Sequence, residues 1–165
     1  MTETDTISDE TFLAWQAKVR DTNVSEQTLL ATDYLNHFNE IVMTLEMVPD
    51  MPELLDEAKA WAPKSYKDHF QSSSIADKEL AIEAYDHVPA KFKEPFEATI
   101  SQANKVVLAG IQRIERELDK GSPELVRVAA TTASQLLQKL IDHASANIHG
   151  SVSTMDQSDI DALLD

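Results

Sequence analysis

Apolar positions recur at spacings of three and four through three long stretches of the chain, the period of one buried helix face. Over about 25–48 the stripe is Leu29, Leu30, Tyr34, Leu35, Phe38, Ile41, Val42, Leu45 and Met47 or Val48, with Ser25 as its cap. Over about 95–120 it is Phe96, Ile100, Ala103, Val107, Leu108, Ile111, Ile114 and Leu118, with Gly121 as terminator. Over about 122–149 it is Leu125, Val128, Leu136, Leu140, Ile141, Ala144 and Ile148, capped by Ser122, opened by Pro123 and stopped by Gly150.

Shorter elements fill the gaps. Residues 1–7 read as disordered. Ser8 can cap a helix to about Arg20 carrying Phe12, Leu13, Trp15 and Val19, and Asp21-Thr22-Asn23 reads as a turn. Pro49 ends the second helix, and Pro52 is placed to open a short one. Residues 62–77 read as a connection with a short helical piece. Asp77 starts a helix to about His87, broken by Val88-Pro89. The very short link at Gly121 forces an antiparallel hairpin. The expected fold is all-α: an antiparallel helical bundle over 8–149, a linker over 150–154, and a flexible docking peptide over 155–165.

Composition sharpens this picture. Three glycines in 165 residues are few for a sheet-rich domain. With no cysteine, disulfides and thiolate metal sites are excluded. No apolar run approaches the roughly 20 residues of a membrane span, and the acidic start Met1–Ser8 is unlike a secretory signal. A cytoplasmic protein is expected. The net charge of -15 repels phosphate backbones and anionic lipid, so neither nucleic acid nor membrane is an expected partner, and a basic protein surface fits better.

The end of the chain carries the clearest motif. In Met155-Asp-Gln-Ser-Asp-Ile-Asp-Ala-Leu-Leu-Asp165, Asp156 is a good helix cap with Asp159 at the capping-box position, and Met155 and Ile160 have staple spacing. Ile160, Leu163 and Leu164 share one face. A helix this short is unstable alone, but it can fold in a partner's groove or back onto its own bundle. Gln157, Asp159, Ile160, Asp161, Ala162, Leu163 and Leu164 resemble the peptide by which the flagellar switch protein FliM binds the response regulator CheY. In position as well as sequence, the tail is similar to that of CheZ, the phosphatase of phosphorylated CheY. The resemblance implies a CheY-like receiver as partner, with Ile160, Leu163 and Leu164 in its groove and Asp159 and Asp161 against basic residues. It also implies a homodimer.

Such phosphatases insert an amide that orients water for in-line attack on the receiver's aspartyl phosphate, while a neighbouring acid engages the receiver's lysine. That chemistry needs an acid and an amide one helical turn apart on an exposed face. The best local match is Asp33, Asn36, Asn39 and Glu40 in Ala31–Glu40. Aligned on Asp33-Tyr34, this segment resembles the CheZ catalytic helix, but Asn36 falls at the acid and Glu40 at the glutamine. Asp33 with Asn36 resembles instead the acid-x-x-amide arrangement of the CheC and CheX phosphatases, and Asn39 is a second candidate amide. The bland alternative is the solvated face of an amphipathic helix.

Other chemistries fit less well. A di-iron bundle needs Glu-x-x-His, but Tyr34, Tyr66, Ala84, Leu140 and Ala146 precede the five histidines by three. No cofactor of its own is expected, and Mg2+ would belong to the receiver. His37 or His143 could serve phosphotransfer, but the usual following lysine and glycine are absent. Tyr66, His69, Phe70, Tyr85, His87 and Phe92 could line a pocket, and more readily seal the end of a bundle.

Overall fold

The computed structural model describes the backbone of residues 3–164 and the side chains of residues 10–163. The fold is all-α among the described residues: α1 Glu3–Val19, α2 Asn36–Met47, α3 Leu55–Ala60, α4 Tyr66–Gln71, α5 Lys78–Tyr85, α6 Ala90–Asp119, α7 Pro123–Ile148 and α8 Gln157–Leu164. Two 3-10 turns, Thr32–Leu35 and Pro52–Leu54, lead into α2 and α3. No helix is long and apolar enough to cross a membrane among the described residues. The chain divides into two compact units: unit 1 is Met1–Tyr34, Lys64–Glu97 and Ser145–Ser153, and unit 2 is Leu35–Pro63, Ala98–Ala144 and Thr154–Asp165.

In unit 1, the backbone of α1 runs Glu3–Val19, while Met1 and Thr2, within the stretch 1–7 expected to be disordered, lie outside the described residues. Nothing in that stretch is a helix breaker, and Ser8 falls inside the helix rather than capping it. Val19 is buried, and Trp15 stacks on His87 with ring centroids 4.6 Å apart.

The helix expected from Ser25 is absent until Asn36. Residues 20–31 form a loop instead, closed by an isolated bridge between Val24 and Ala31. The reason lies in the hydroxyls. Ser25 Oγ accepts the amide of Gln27 (3.2 Å), and Thr28 Oγ1 accepts that of Leu30 (3.2 Å). Such local bonds compete with the helical ladder. Ser25 N also donates to Leu30 O, and Leu29 N to Ser25 O, both at 2.8 Å. Leu29 takes a φ of 71°, a left-handed conformation that costs a leucine roughly 1–2 kcal/mol. Full burial of Leu29 and Leu30 offsets that strain.

The middle aromatics form the core of unit 1. Tyr66 stacks on Tyr85 at 4.5 Å, tilts against Phe70 at 4.8 Å and Tyr34 at 5.4 Å, and meets Phe96 edge-on at 6.1 Å. His69 lies edge-on to Tyr34 at 5.5 Å. These rings pack directly against one another. α6 starts at Ala90, five residues before the expected Pro95, because Pro89 O receives the amides of Phe92 (3.0 Å) and Lys93 (2.9 Å). Pro95 then removes only its own bond toward Lys91, within a helix already begun.

In unit 2, α2 buries Phe38, Ile41, Val42 and Leu45, as its stripe requires. Pro52 opens the turn into α3. α6 ends as expected at Gly121, whose φ is 73°, with Gly121 N bonded to Leu118 O and Ser122 N to Glu117 O. Ser122 Oγ then caps α7 by accepting the Leu125 amide at 3.3 Å. The buried face of α7 is Val126, Ala129, Ala130, Ala133, Leu136, Leu137, Leu140 and Ile141, whereas the expected Leu125 and Val128 are exposed, as is Leu108 on α6. At one point on this face the approach is tight: a Cβ placed on Gly110 would lie 2.8 Å from the Cβ of Ala133, so small residues are required at that pair.

Candidate functional site

The contacts of the spacer over 150–154 begin at Asn147. Its side chain is fully buried, and its amide donates to the carbonyls of Ser151 (2.9 Å) and Ser153 (3.0 Å). Ser151 Oγ and Ser153 Oγ lie 3.0 Å apart, and Ser153 N donates to Ser151 Oγ at 3.2 Å. The spacer is therefore folded against the end of α7.

Within unit 2, Asp156 caps α8 as its residue type predicts. Its Oδ1 accepts the Ser158 amide (2.9 Å) and hydroxyl (2.8 Å). Those two bonds hold its carboxyl below the usual carboxylate range. Gln157 Nε2 donates to Asp161 Oδ1 at 2.9 Å, a pairing one turn along the helix. Asp159 is exposed.

Ile160 is only 1% exposed, and α8 belongs to unit 2. Met155 is half-buried, and its carbonyl accepts from Gln102 Nε2 at 3.0 Å. The same nitrogen reaches Gln157 Oε1 at 3.4 Å. Leu163, by contrast, is 45% exposed, and Asp161 and Ala162 face solvent. The Leu164 side chain lies outside the described residues. The face expected to be offered whole to a partner is thus split, with Ile160 inward and Leu163 outward.

Asp33, Asn36, Asn39 and Glu40 do not share one α-helix. Asp33 sits half-buried in the 3-10 turn Thr32–Leu35, while Asn36 is the first residue of α2. Asn36, Asn39 and Glu40 are exposed on α2. His37 is held by stacking on Trp61 (4.6 Å), its Nε2 lies 2.9 Å from Ala62 O, and Trp61 Nε1 donates to its carbonyl at 3.0 Å. It is a packing residue at the α2–α3 contact.

Among the described residues no three His, Asp or Glu side chains converge as a metal site. A cleft of about 370 Å³ in unit 2 is lined by Pro49, Asp50, Pro52, Leu118, Pro123 and Val126 among others. Its one carboxylate, Asp50, is already paired with Arg127 at 2.5 Å, so convergent polar chemistry is lacking.

Gln102 and Asn147 are the residues the sequence reading missed. Asn147 carried a signal: it lies on the face of Leu140, Ala144 and Ile148, where a buried amide must find partners. Gln102 carried none, since a polar residue beside a stripe is ordinary. No protein-family model matches the chain, and no curated protein or solved structure is significantly similar to it.

Proposed function

We propose that this chain is a cytoplasmic regulator of chemotaxis or flagellar motility that binds a CheY-like response regulator through residues 155–165. The observation that carries the reading is α8. The segment resembling the FliM and CheZ peptides forms a self-capped amphipathic helix, with Leu163, Asp159 and Asp161 accessible to a basic-rimmed groove. Calorimetric titration of CheY-like receivers, with and without a phosphate mimic, tests it. Leu163→Ala truncates a side chain that is 45% exposed, and should weaken binding at least tenfold. Unchanged affinity would sink the reading.

A CheZ-like activity is the catalytic extension. Asn36 or Asn39, both exposed on α2, would orient water on the receiver's aspartyl phosphate, with Mg2+ supplied by the receiver. A second reading, a non-catalytic adaptor, is favoured because Asp33 is half-buried in the 3-10 turn that runs into α2, whereas Asn36 and Asn39 are exposed. Phosphate release from the receiver separates the two. A phosphatase accelerates it and loses the effect in Asn36→Ala or Asn39→Ala, while an adaptor leaves the rate unchanged.

We infer as well that α6 and α7 run antiparallel as a bundle hairpin within unit 2. The close pair Gly110–Ala133 and the connection over residues 120–122 support this. Leu125 and Val128, exposed on α7, are apolar surface that a second copy would cover in a homodimer. Sedimentation of the Val128→Glu variant tests that arrangement.

A further inference from the structure

We propose that the docked α8 is a self-occupied, latent form of the receiver-binding tail, so that unit 2 and the receiver compete for Ile160. The inference rests on the receiver reading above.

The argument is geometric. At 100° per residue, Ile160, Leu163 and Leu164 span an arc of about 100° on the helix. A groove that takes all three must cover the side of α8 that carries Ile160. In this structure that side is covered: Ile160 is 1% exposed, on a helix that belongs to unit 2. The entry to the helix is also held, because Gln102 Nε2 donates to Met155 O at 3.0 Å and reaches Gln157 Oε1 at 3.4 Å. One helix face cannot be buried in two places, so receiver binding requires α8 to leave its seat.

The seat is built to be left. Among the described side chains of α8, Ile160 alone is buried, while Leu163, Asp159 and Asp161 stay accessible for a first encounter. Transfer of one isoleucine side chain corresponds to an equilibrium factor of roughly 10 to 100. Apparent affinity falls by the fraction of molecules that are open, so the intact chain should bind a receiver more weakly than its free tail by about that factor. Any change that loosens Gln102 should recover part of the difference.

The experiment measures binding of a beryllofluoride-loaded CheY-like receiver to the intact chain, to a peptide of residues 151–165, and to the Gln102→Ala and Gln102→Glu variants. Backbone hydrogen exchange over residues 159–163 is followed in parallel. The expected result is a peptide that binds about tenfold or more tighter than the intact chain. Both variants should move toward the peptide, with faster exchange confined to α8. Gln102→Glu keeps the shape of the side chain while removing its donor, so agreement between the variants excludes a packing defect. Equal binding by peptide, chain and variants overturns the inference and leaves the receiver reading standing. A peptide that binds no receiver overturns that reading, and this inference with it.

Discussion

Thr28 donates its hydroxyl to the carbonyl of Ile148 at 2.5 Å, a bond that spans 120 positions of sequence. The same oxygen accepts the amide of Leu30, and the side chain is fully buried. Thr28→Val keeps the volume and strands both backbone groups. It should cost about 1–3 kcal/mol, read as a fall in Tm of about 2–4 °C per kcal/mol for a chain of this length. Thr28→Ser should retain most of the stability.

Gly110 and Ala133 make a second long-range prediction. Gly110→Ala gains helix propensity of about 1 kcal/mol, but its Cβ would meet that of Ala133 at 2.8 Å, and neither atom is the end of a flexible chain. Overpacking of about 1–3 kcal/mol should win, giving a net loss of stability. Denaturant unfolding of Gly110→Ala, Ala133→Gly and the double variant checks this. The double variant should lose less than the sum of the singles.

Acid should release the tail. Two bonds from Ser158 depress the Asp156 carboxyl below its ordinary value. The stabilising contribution is therefore present above the unfolded-state value, near 4, and is lost as pH falls through the lower, helix-bound one. Hydrogen exchange over α8 should accelerate below about pH 4, ahead of the rest of the chain. Asp156→Ala should show faster exchange already at neutral pH, whereas Asp156→Asn should keep the cap and lose the pH dependence.

Alkali should act on unit 1. The three tyrosines of the chain all belong to its aromatic core. Burial pushes Tyr34 up to about 12, and burial raises Tyr66 too. Tyr85 is raised by burial and then by its hydrogen bond to Glu97. Raised phenol values mean that stability is intact below about pH 10 and falls as pH rises through the folded values. Phenolate absorbance should therefore appear together with loss of circular dichroism. Independent ionisation of any tyrosine near pH 10 in a folded chain would contradict this core.

Helix type and termination were legible wherever the local chemistry acted alone. Pro52, Ser122-Pro123, Gly121 and Asp156 each do what their residue types dictate. The reading failed where distant partners decide. Leu29 and Leu30 fit a helical stripe, but Ser25, Thr28 and the carbonyl of Ile148 hold them in a loop. Leu125 and Val128 look like core, but the buried face of α7 is rotated to Val126, Ala129, Ala130 and Ala133. At the candidate site the helix and cap of α8 were readable, while the destination of Ile160 was not. An apolar face in a short helix does not say whose groove it fills.

The buried amide of Asn147 also fixes the length of a leash. While it grips the carbonyls of Ser151 and Ser153, only residues 154–156 separate the last anchored carbonyl from α8. Fully stretched, those residues reach about 10 Å. A released tail would therefore swing through a small volume rather than sweep solvent. A receiver bound in the proposed manner would be kept at the high local concentration of a short tether, on the order of millimolar. Lengthening the spacer would dilute that encounter without altering a single contact.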